Sequence, residues 1–381
     1  MFCGFIPVRL ALALVALASL LTFPPPTFAQ APVLAARAWL LVNLTAGQTL
    51  VSQNADERVE PASLTKLMTA YIVFTALRDK RLALQQVVPV SERAMHAGGS
   101  RMFIDQKKPV TAGELIQGMV IQSGNDACIA LSEIVAGSED AFVQVMNRET
   151  KRLGMNNTQF ANSSGLPGAG HYSTTRDLAT LAGAVIRDFP DQYHYYSVKE
   201  FRYNNNTQQN PNRLLWLDPN IDGMKTGYSE AAGYAMIASA RRGDRRLLSV
   251  VVGANSESGR AQESQKLLNH GFLNFDQVRL YEKGVSISVL PVWKGSENTV
   301  QAGVAQDLRI SAPKGIGNRL KAELLSLQPL IAPINAGQRV GTIRVSLDGK
   351  PVGEYAAVAL ENIAVAGIFG RTWDTIRLWF Q

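Results

Sequence analysis

The sequence has only two cysteines in 381 residues, Cys3 and Cys128. Cys3 lies within the first 29 residues, ahead of the apolar run Leu10 to Leu21. A chain cut after Ala29 keeps one thiol and can form no internal disulfide. Cys128 stands in Ala127-Cys128-Ile129-Ala130-Leu131, a setting that suits a buried structural thiol. Histidine is also scarce. His96, His171, His194 and His270 show no metal-ligand spacing, so no metal and no cofactor are expected, and packing is the use expected of each. Long Lys/Arg runs and basic-aromatic interleaving are missing, which argues against nucleic-acid binding despite a net charge of +7. That modest charge suits an anionic polymer or membrane surface, and equally no charged partner. Internal repeats and low-complexity tracts are absent. Neither the early apolar run nor the aromatic C-terminal stretch is long enough to span a bilayer.

What remains is ordinary globular composition, 46% hydrophobic and 18% charged, in a chain long enough for two cores. The start differs. Arg9, the apolar run, Pro24-Pro25-Pro26 and Thr27-Phe28-Ala29 have the order of a secretory signal, expected over 1–29.

From there the pattern reads strand, turn, strand over Ala38 to Leu44 and Gln48 to Ser52. Pro61 opens a helix in which Leu67, Tyr71, Phe74 and Leu77 recur at helical spacing, so a central buried helix is expected. Further helices are expected over Thr111 to Ile121, Asn125 to Val135, Asp140 to Leu153, Thr175 to Arg187 and Glu257 to Phe272. Tyr234 to Ala240 and Arg246 to Gly253 read as strands around a Gly243-Asp244 turn. Strands at both ends of this region predict one sheet with a helical lobe inserted.

After Phe275 short Val, Ile and Leu runs appear between turn residues: Val285 to Val292, Asp307 to Ala312, Lys321 to Leu327, Gln338 to Leu347 and Gly353 to Leu360. Asp348-Gly349 between two of them predicts a hairpin. A β-rich domain is expected over 276–362, after a first domain over 30–275. From Ile363 to Gln381 the pattern turns helical again. Val365, Ile368, Phe369, Trp373, Ile376, Trp379 and Phe380 share an arc of roughly 140° on a helical wheel. Arg371, Asp374 and Arg377 lie outside it. Such a stripe at the end of an exported chain predicts an amphipathic helix, 363–381, lying in a membrane interface.

Three short motifs carry the chemistry: Ser63-Leu64-Thr65-Lys66, Ser123-Gly124-Asn125 and Lys225-Thr226-Gly227. Each alone is weak. Together they supply what acyl transfer through a serine ester requires. Ser63 lies near a helix start, and Lys66 lies three residues on, on the same face. A free lysine, with a pKa of about 10.4, is a poor base at neutral pH. Burial and a second cation, for which Lys225 is the candidate, would lower it. A turn at Ser123-Gly124 would push Ser123 and Asn125 into a cleft, the hydroxyl to relay a proton and the amide to hold a substrate carbonyl. Gly227 would let a substrate backbone approach a strand that begins at Lys225, Thr226 and Gly227. The backbone N–H groups of Ser63 and Tyr228 would form an oxyanion hole. Arg260 suits a terminal carboxylate.

The motifs follow one another by 60 and 102 residues. That order resembles the penicillin-binding protein and serine β-lactamase superfamily. The flanks Glu60-Pro61-Ala62-Ser63-Leu64-Thr65-Lys66, Gln122-Ser123-Gly124-Asn125-Asp126-Ala127 and Asp222-Gly223-Met224-Lys225-Thr226-Gly227-Tyr228 resemble the low-molecular-mass D-alanyl-D-alanine carboxypeptidases of bacterial cell walls. The resemblance implies an α/β (α+β) catalytic domain of penicillin-binding/β-lactamase type, an antiparallel sheet flanked by helices plus a helical lobe. A small all-β domain and a C-terminal amphipathic anchor would follow it. It implies removal of the terminal D-alanine from peptidoglycan pentapeptides, acylation by β-lactam antibiotics, and a place on the periplasmic face of the inner membrane. Carried over by motif, Ser63 is the nucleophile and Lys66 its base. Ser123, Asn125, Lys225, Thr226, Gly227, Tyr228 and Arg260 complete the cleft. Tyr228 stands where several family members have His. The alternatives are a D,D-endopeptidase or β-lactamase of the same superfamily, or a non-catalytic peptidoglycan binder. A β-lactamase would need a deacylating base, and no Glu-x-x-Leu-Asn-like segment lies between Asn125 and Lys225.

Overall fold

A continuous apolar run, buried on both faces, forms the first strand, β1 (Ala38–Asn43), and a more polar, part-exposed strand follows it, β2 (Gln48–Gln53). In this computed structural model, which describes residues 31–367, they pair as an antiparallel hairpin. The expected signal and residues 368–381 of the expected terminal helix lie outside the described residues.

Helices follow. The stretch opened by Pro61 is not one continuous α-helix. A 3-10 turn over Ala62–Thr65 comes first, with Ala62 at φ 45°, and α1 (Lys66–Arg78) begins only at Lys66. Ser63 therefore sits in the tight turn rather than in the helix. α1 is buried on almost every side, as a helix apolar all round must be. Around it stand α2 (Ala112–Ile121), α3 (Asn125–Ala136), α4 (Glu139–Leu153) and α5 (Thr175–Asp188). Thr111, Ser138 and Thr174 cap three of these by accepting a backbone N–H, and Thr111 forms a full capping box with Glu114.

The chain then returns to the sheet as β3 (Ile221–Ser229), β4 (Gly233–Arg242) and β5 (Arg245–Ala254). The sheet order is β2-β1-β5-β4-β3, antiparallel throughout, so the helical lobe is inserted between β2 and β3 as expected. Lys225 lies in the middle of β3, not at its start, and β3 is the sheet's edge. Trp39, Leu41, Leu247 and Val251 form one apolar face under α6 (Glu257–Asn274); Leu40, Leu248 and Val250 form the other, against the lobe. A hairpin over Glu200–Tyr203 and Asn206–Gln209 was not expected. Its strands are mostly polar, but Phe201 and Tyr203 alternate inward, and Asn204 and Asn205 turn with positive φ.

The last part is all β. Strands β6 (Phe275–Tyr281) and β9 (Leu308–Pro313) form one pair, with β7 (Ser288–Trp293) and β8 (Thr299–Gly303) between them in sequence. With β10 (Leu320–Ser326), β11 (Leu330–Ile331), β12 (Arg339–Leu347) and β13 (Lys350–Ala359), a six-stranded sheet has the order β10-β12-β13-β8-β7-β11. Asp348-Gly349 makes the expected β12–β13 turn, both residues at positive φ. Residues 363–367 are not helical. Ile363 bridges Ile334, Val365 bridges Gly295, and Ile363 is buried in the core of this sheet.

One side chain ties the two sheets' surroundings together. Asn43 is fully buried; its Nδ2 donates to Gln277 Oε1 (3.0 Å) and Ser311 Oγ (2.8 Å), and its Oδ1 accepts from the N–H groups of Thr45 and Ala46. Asn43→Ala strands all four partners. It is expected to lower the unfolding free energy by about 1–3 kcal/mol, read as a lower urea midpoint. An unchanged midpoint would remove Asn43 from this role.

Candidate active site

The three motifs meet at the junction of the 3-10 turn, α1, the α2–α3 turn and the edge strand β3. Lys66 is 2% exposed. Its Nζ lies 3.0 Å from Ser63 Oγ, 2.6 Å from Asn125 Oδ1 and 2.6 Å from the Ser164 carbonyl. Burial pushes its pKa below the ordinary lysine value, against weaker upward pulls from Cys128 and Asp126. No carboxylate takes part in the Nζ contacts, so nothing offsets the lost hydration with a full negative charge.

Ser123 turns at φ 68°, and the N–H of the next residue, Gly124, reaches the Gly118 carbonyl. This brings Ser123 Oγ to 3.0 Å from Lys225 Nζ, which also reaches the Thr226 carbonyl at 3.0 Å. Burial lowers the Lys225 pKa well below its usual range, followed by the repulsion of Lys66 and of Arg260. Lys225 was expected to depress Lys66. The leading cause for both lysines is burial, and repulsion between them is most evident on Lys225. Asn125 is not a free amide. Its Oδ1 holds Lys66, and its Nδ2 donates to the Gly98 carbonyl at 2.7 Å.

Gly227 passes close to Ser63. A Cβ there would stand 3.3 Å from the Ser63 backbone nitrogen. Arg260 is buried, donates to the Gly227 carbonyl at 3.1 Å and faces Glu257 at 3.5 Å. Thr226 is buried, whereas Tyr228 is 53% exposed and packs its ring on Tyr234, centroids 4.5 Å apart. Ser63, Ser123, Asn125, Thr226, Tyr228 and Arg260 all line one cavity of about 810 Å³. Lys66 and Lys225 lie beneath it, bonded to its two serines.

Several supporting residues had no sequence signal. The loop Asn162–Leu166 supplies the Ser164 carbonyl, and Glu139 anchors it by accepting from the N–H and Oγ of Ser163 at 3.0 and 2.6 Å. Gly165, at φ 88°, lets that loop lie against the turn that carries Ser63: a Cβ there would sit 1.8 Å from the Ala62 carbonyl oxygen. Asp126 gathers the N–H groups of Met102, Phe103 and Ile104 and so fixes the loop opposite. Glu60 accepts from Ser229 Oγ at the cavity wall. His171 is buried behind the turn. Its Nδ1 accepts from the Ala161 N–H, which leaves the proton on Nε2 to donate to Thr65 Oγ1 at 2.8 Å. Burial drives its pKa down to about 4, so the ring is neutral in ordinary buffers.

Comparison with known proteins places this geometry. Residues 26–256 match the family described as D-alanyl-D-alanine carboxypeptidase, and residues 275–365 match the C-terminal domain of penicillin-binding protein 5. The chain is 41% identical over 377 residues to D-alanyl-D-alanine carboxypeptidase DacC of Escherichia coli, covering 96% of this chain and 94% of that one. The structure of penicillin-binding protein 5 from Haemophilus influenzae is similar with a TM-score of 0.83 and 37% identity, covering 88% of this chain and 99% of that one. Penicillin-binding protein D2 of Listeria monocytogenes, solved in an ampicillin-bound form, is similar with a TM-score of 0.59 and 31% identity, over 64% and 99% of the two chains. The chain belongs to the D-alanyl-D-alanine carboxypeptidase family and is a serine-type D-Ala-D-Ala carboxypeptidase, with an all-β second part of the penicillin-binding protein 5 type.

Proposed function

We propose that this carboxypeptidase removes the terminal D-alanine of peptidoglycan pentapeptides through an ester on Ser63. Lys66, neutral through burial, takes the Ser63 proton across their 3.0 Å contact. Ser63 Oγ attacks the carbonyl of the penultimate D-alanine. The oxyanion that forms is met by the backbone N–H groups of Ser63 and Tyr228. Ser123, bonded to Lys225, passes a proton to the departing amine. Arg260 holds the substrate's terminal carboxylate, with Thr226 and Gly227 along the cleft wall. Asn125 keeps Lys66 in place, and the second N–H of its Nδ2 is left for a substrate carbonyl. Water then hydrolyses the ester. β-Lactams acylate the same serine, and the ampicillin-bound form of the Listeria monocytogenes relative supports this.

The observation that carries the reading is the Lys66 cage: a buried amine within hydrogen-bond distance of Ser63, held by two other acceptors, neither of them a carboxylate. We further propose that residues 1–29 direct export, that 30–275 and 276–362 are the two domains, and that the C-terminal stripe binds a membrane surface. Among the described residues no helix is long and apolar enough to cross a membrane. The bridges of Ile363 and Val365 support extending that second domain to 367 and starting the membrane-binding stretch after it.

Four outcomes are expected. Ser63→Ala abolishes both D-alanine release and covalent labelling by fluorescent penicillin; a labelled band from that variant sinks the nucleophile assignment. Because Lys66 must be neutral to act and its pKa is lowered, acylation by penicillin should rise with pH and level off below pH 10.5. A rate still climbing through that pH in stopped-flow traces would mean an ordinary, solvated lysine. A chain ended after Gly367 should leave the membrane fraction with D-alanine release intact. A chain ended before Ile363 should also lose about 2–4 kcal/mol of stability, since it removes a buried core side chain. Sedimentation of the Gly367-terminated protein with membranes would overturn the anchor.

A further inference from the structure

A second cavity, of about 610 Å³, lies away from the catalytic cleft and shares none of its lining residues. It runs between α5 and the first strand, and the β4–β5 hairpin forms its lip. Its floor is aliphatic. Leu40 and Val42 of β1 and Leu44 just beyond it line one side, and Ala179, Gly183 and Ile186 of α5 line the other. At two of its three positions α5 carries nothing larger than a methyl group, and a Cβ at Gly183 would stand 3.3 Å from Leu44 Cδ2. An apolar channel therefore stays open where close packing would ordinarily join helix to sheet.

The rim is cationic. Arg176, Arg187, Arg241 and Arg246 line the cavity, with one carboxylate, Asp244, which is taken by Arg309. Arg176 is held by both oxygens of Asp56, Arg187 by both of Asp188 and Arg246 by both of Asp222. Arg241 differs. It is exposed, its Nε donates to the Gly243 carbonyl at 3.1 Å, and among the described residues it joins no ion pair. It also stands directly opposite Arg246 across the β4–β5 pair. Like charges in that position repel. The fold thus sets an unneutralised guanidinium beside a second one, at the edge of an apolar channel.

A ligand for such a space has two parts. An aliphatic body would take the Leu, Val and Ile surface out of water. A phosphate or carboxylate would give Arg241 the bidentate partner that its neighbours do not supply. A bare anion leaves the floor wet, and a neutral chain leaves Arg241 unpaired. The volume falls within the roughly 300–1,000 Å³ of small-molecule sites.

We propose that this channel binds an amphiphilic anion, an aliphatic chain ending in a phosphate or carboxylate, with its head on Arg241 and its chain along α5. The site is independent of the carboxypeptidase reading, since it has no residue in common with the cleft.

The test is calorimetric titration of the purified full chain with three probes: decyl phosphate kept below its micelle concentration, inorganic phosphate, and decyl maltoside. Decyl phosphate should bind one per chain, at least about tenfold more tightly than either of the others. Arg241→Gln should weaken it about tenfold, and Arg241→Lys should recover part of that loss. Thr180→Trp, which fills the channel from an exposed position on α5, should weaken it as well. D-alanine release should stay within about twofold of wild type in all these variants, which shows that each has folded. Arg246 is left alone, because its partner Asp222 lies in β3, three residues before Lys225. Decyl phosphate that binds no better than the other two probes overturns the proposal. So does equal binding by wild type and Arg241→Gln, which would put the amphiphile elsewhere on the chain. Phosphatidylglycerol vesicles separate two sources of the same chemistry. If Arg241→Gln also weakens binding to them, the head belongs to a bilayer lipid. If it does not, and decyl phosphate is still lost, the ligand is a free amphiphile.

Discussion

The buried amine of Lys66 is the constraint on which the rest of the site depends. A lysine taken out of water strongly disfavours its charged form unless an opposite charge is supplied. None touches it here. The Nζ instead meets a hydroxyl, an amide oxygen and a backbone carbonyl, one from each of three separate segments. These neutral acceptors orient the nitrogen, and burial lowers its pKa. Each segment must arrive at a defined position for that balance to hold. The surrounding structure can be understood as the means by which they do.

The means differ by segment. The Ser63 turn is part of the same stretch as Lys66, so only its tight winding matters, and His171 fixes it from behind through Thr65. Asn125 opens α3, where Asp126 binds three backbone N–H groups of the opposing loop. The Ser164 carbonyl depends on a loop with no regular structure. Glu139 and Thr69 hold it on one side, and Asn162 closes it on itself through the Gly165 N–H at 2.7 Å. These buried polar groups are partnered throughout, which is what lets them specify one geometry. On the far side the edge strand delivers Lys225 together with Gly227, whose carbonyl accepts from Arg260, since a β-strand fixes the spacing of everything along it.

Much of this was legible because it resides in side chains of distinctive chemistry. The Ser63-to-Lys66 stretch, Ser123 and Lys225 lie far apart in sequence, and their order identified one cleft. The helices and the sheet followed from periodicity, because their apolar faces are buried. The Ser164 contribution left no trace, since a backbone carbonyl has no residue type. Glu139 and Asp126 stand in the first turn of a helix, where an acidic residue carries no mark of what it will hold, and tertiary contacts turn them inward. The hairpin at Glu200–Gln209 was hidden by its polar outer face. The strand over Thr299–Gly303 is short, and its edges carry no strong turn dipeptide. Val365 matched the helical wheel and Ile363 opened the expected helix, yet both make β-bridges because Gly295 and Ile334 offer them partners. Local pattern is a weak guide wherever a tertiary partner can satisfy the backbone in another way.

The same cage sets a conflict between stability and chemistry. Both lysines have lowered pKa values in the fold, so between the folded and the ordinary value an unfolded chain binds more protons. Stability from this source rises with pH through that window, and at neutral pH two buried amines oppose folding wherever they are charged. A carboxylate beside Lys66 would relieve the strain by pairing with it. It would also raise its pKa and end the base role proposed for it. The sequence keeps carboxylates close but turned away: Asp126 towards backbone N–H groups, Glu139 towards Ser163 and Arg93, Glu60 towards Ser229. Each neutralises donors around the cleft without pairing with either lysine. The site's reactivity is therefore a property of where the acids point, and the large apolar core of the lobe offsets what that arrangement costs.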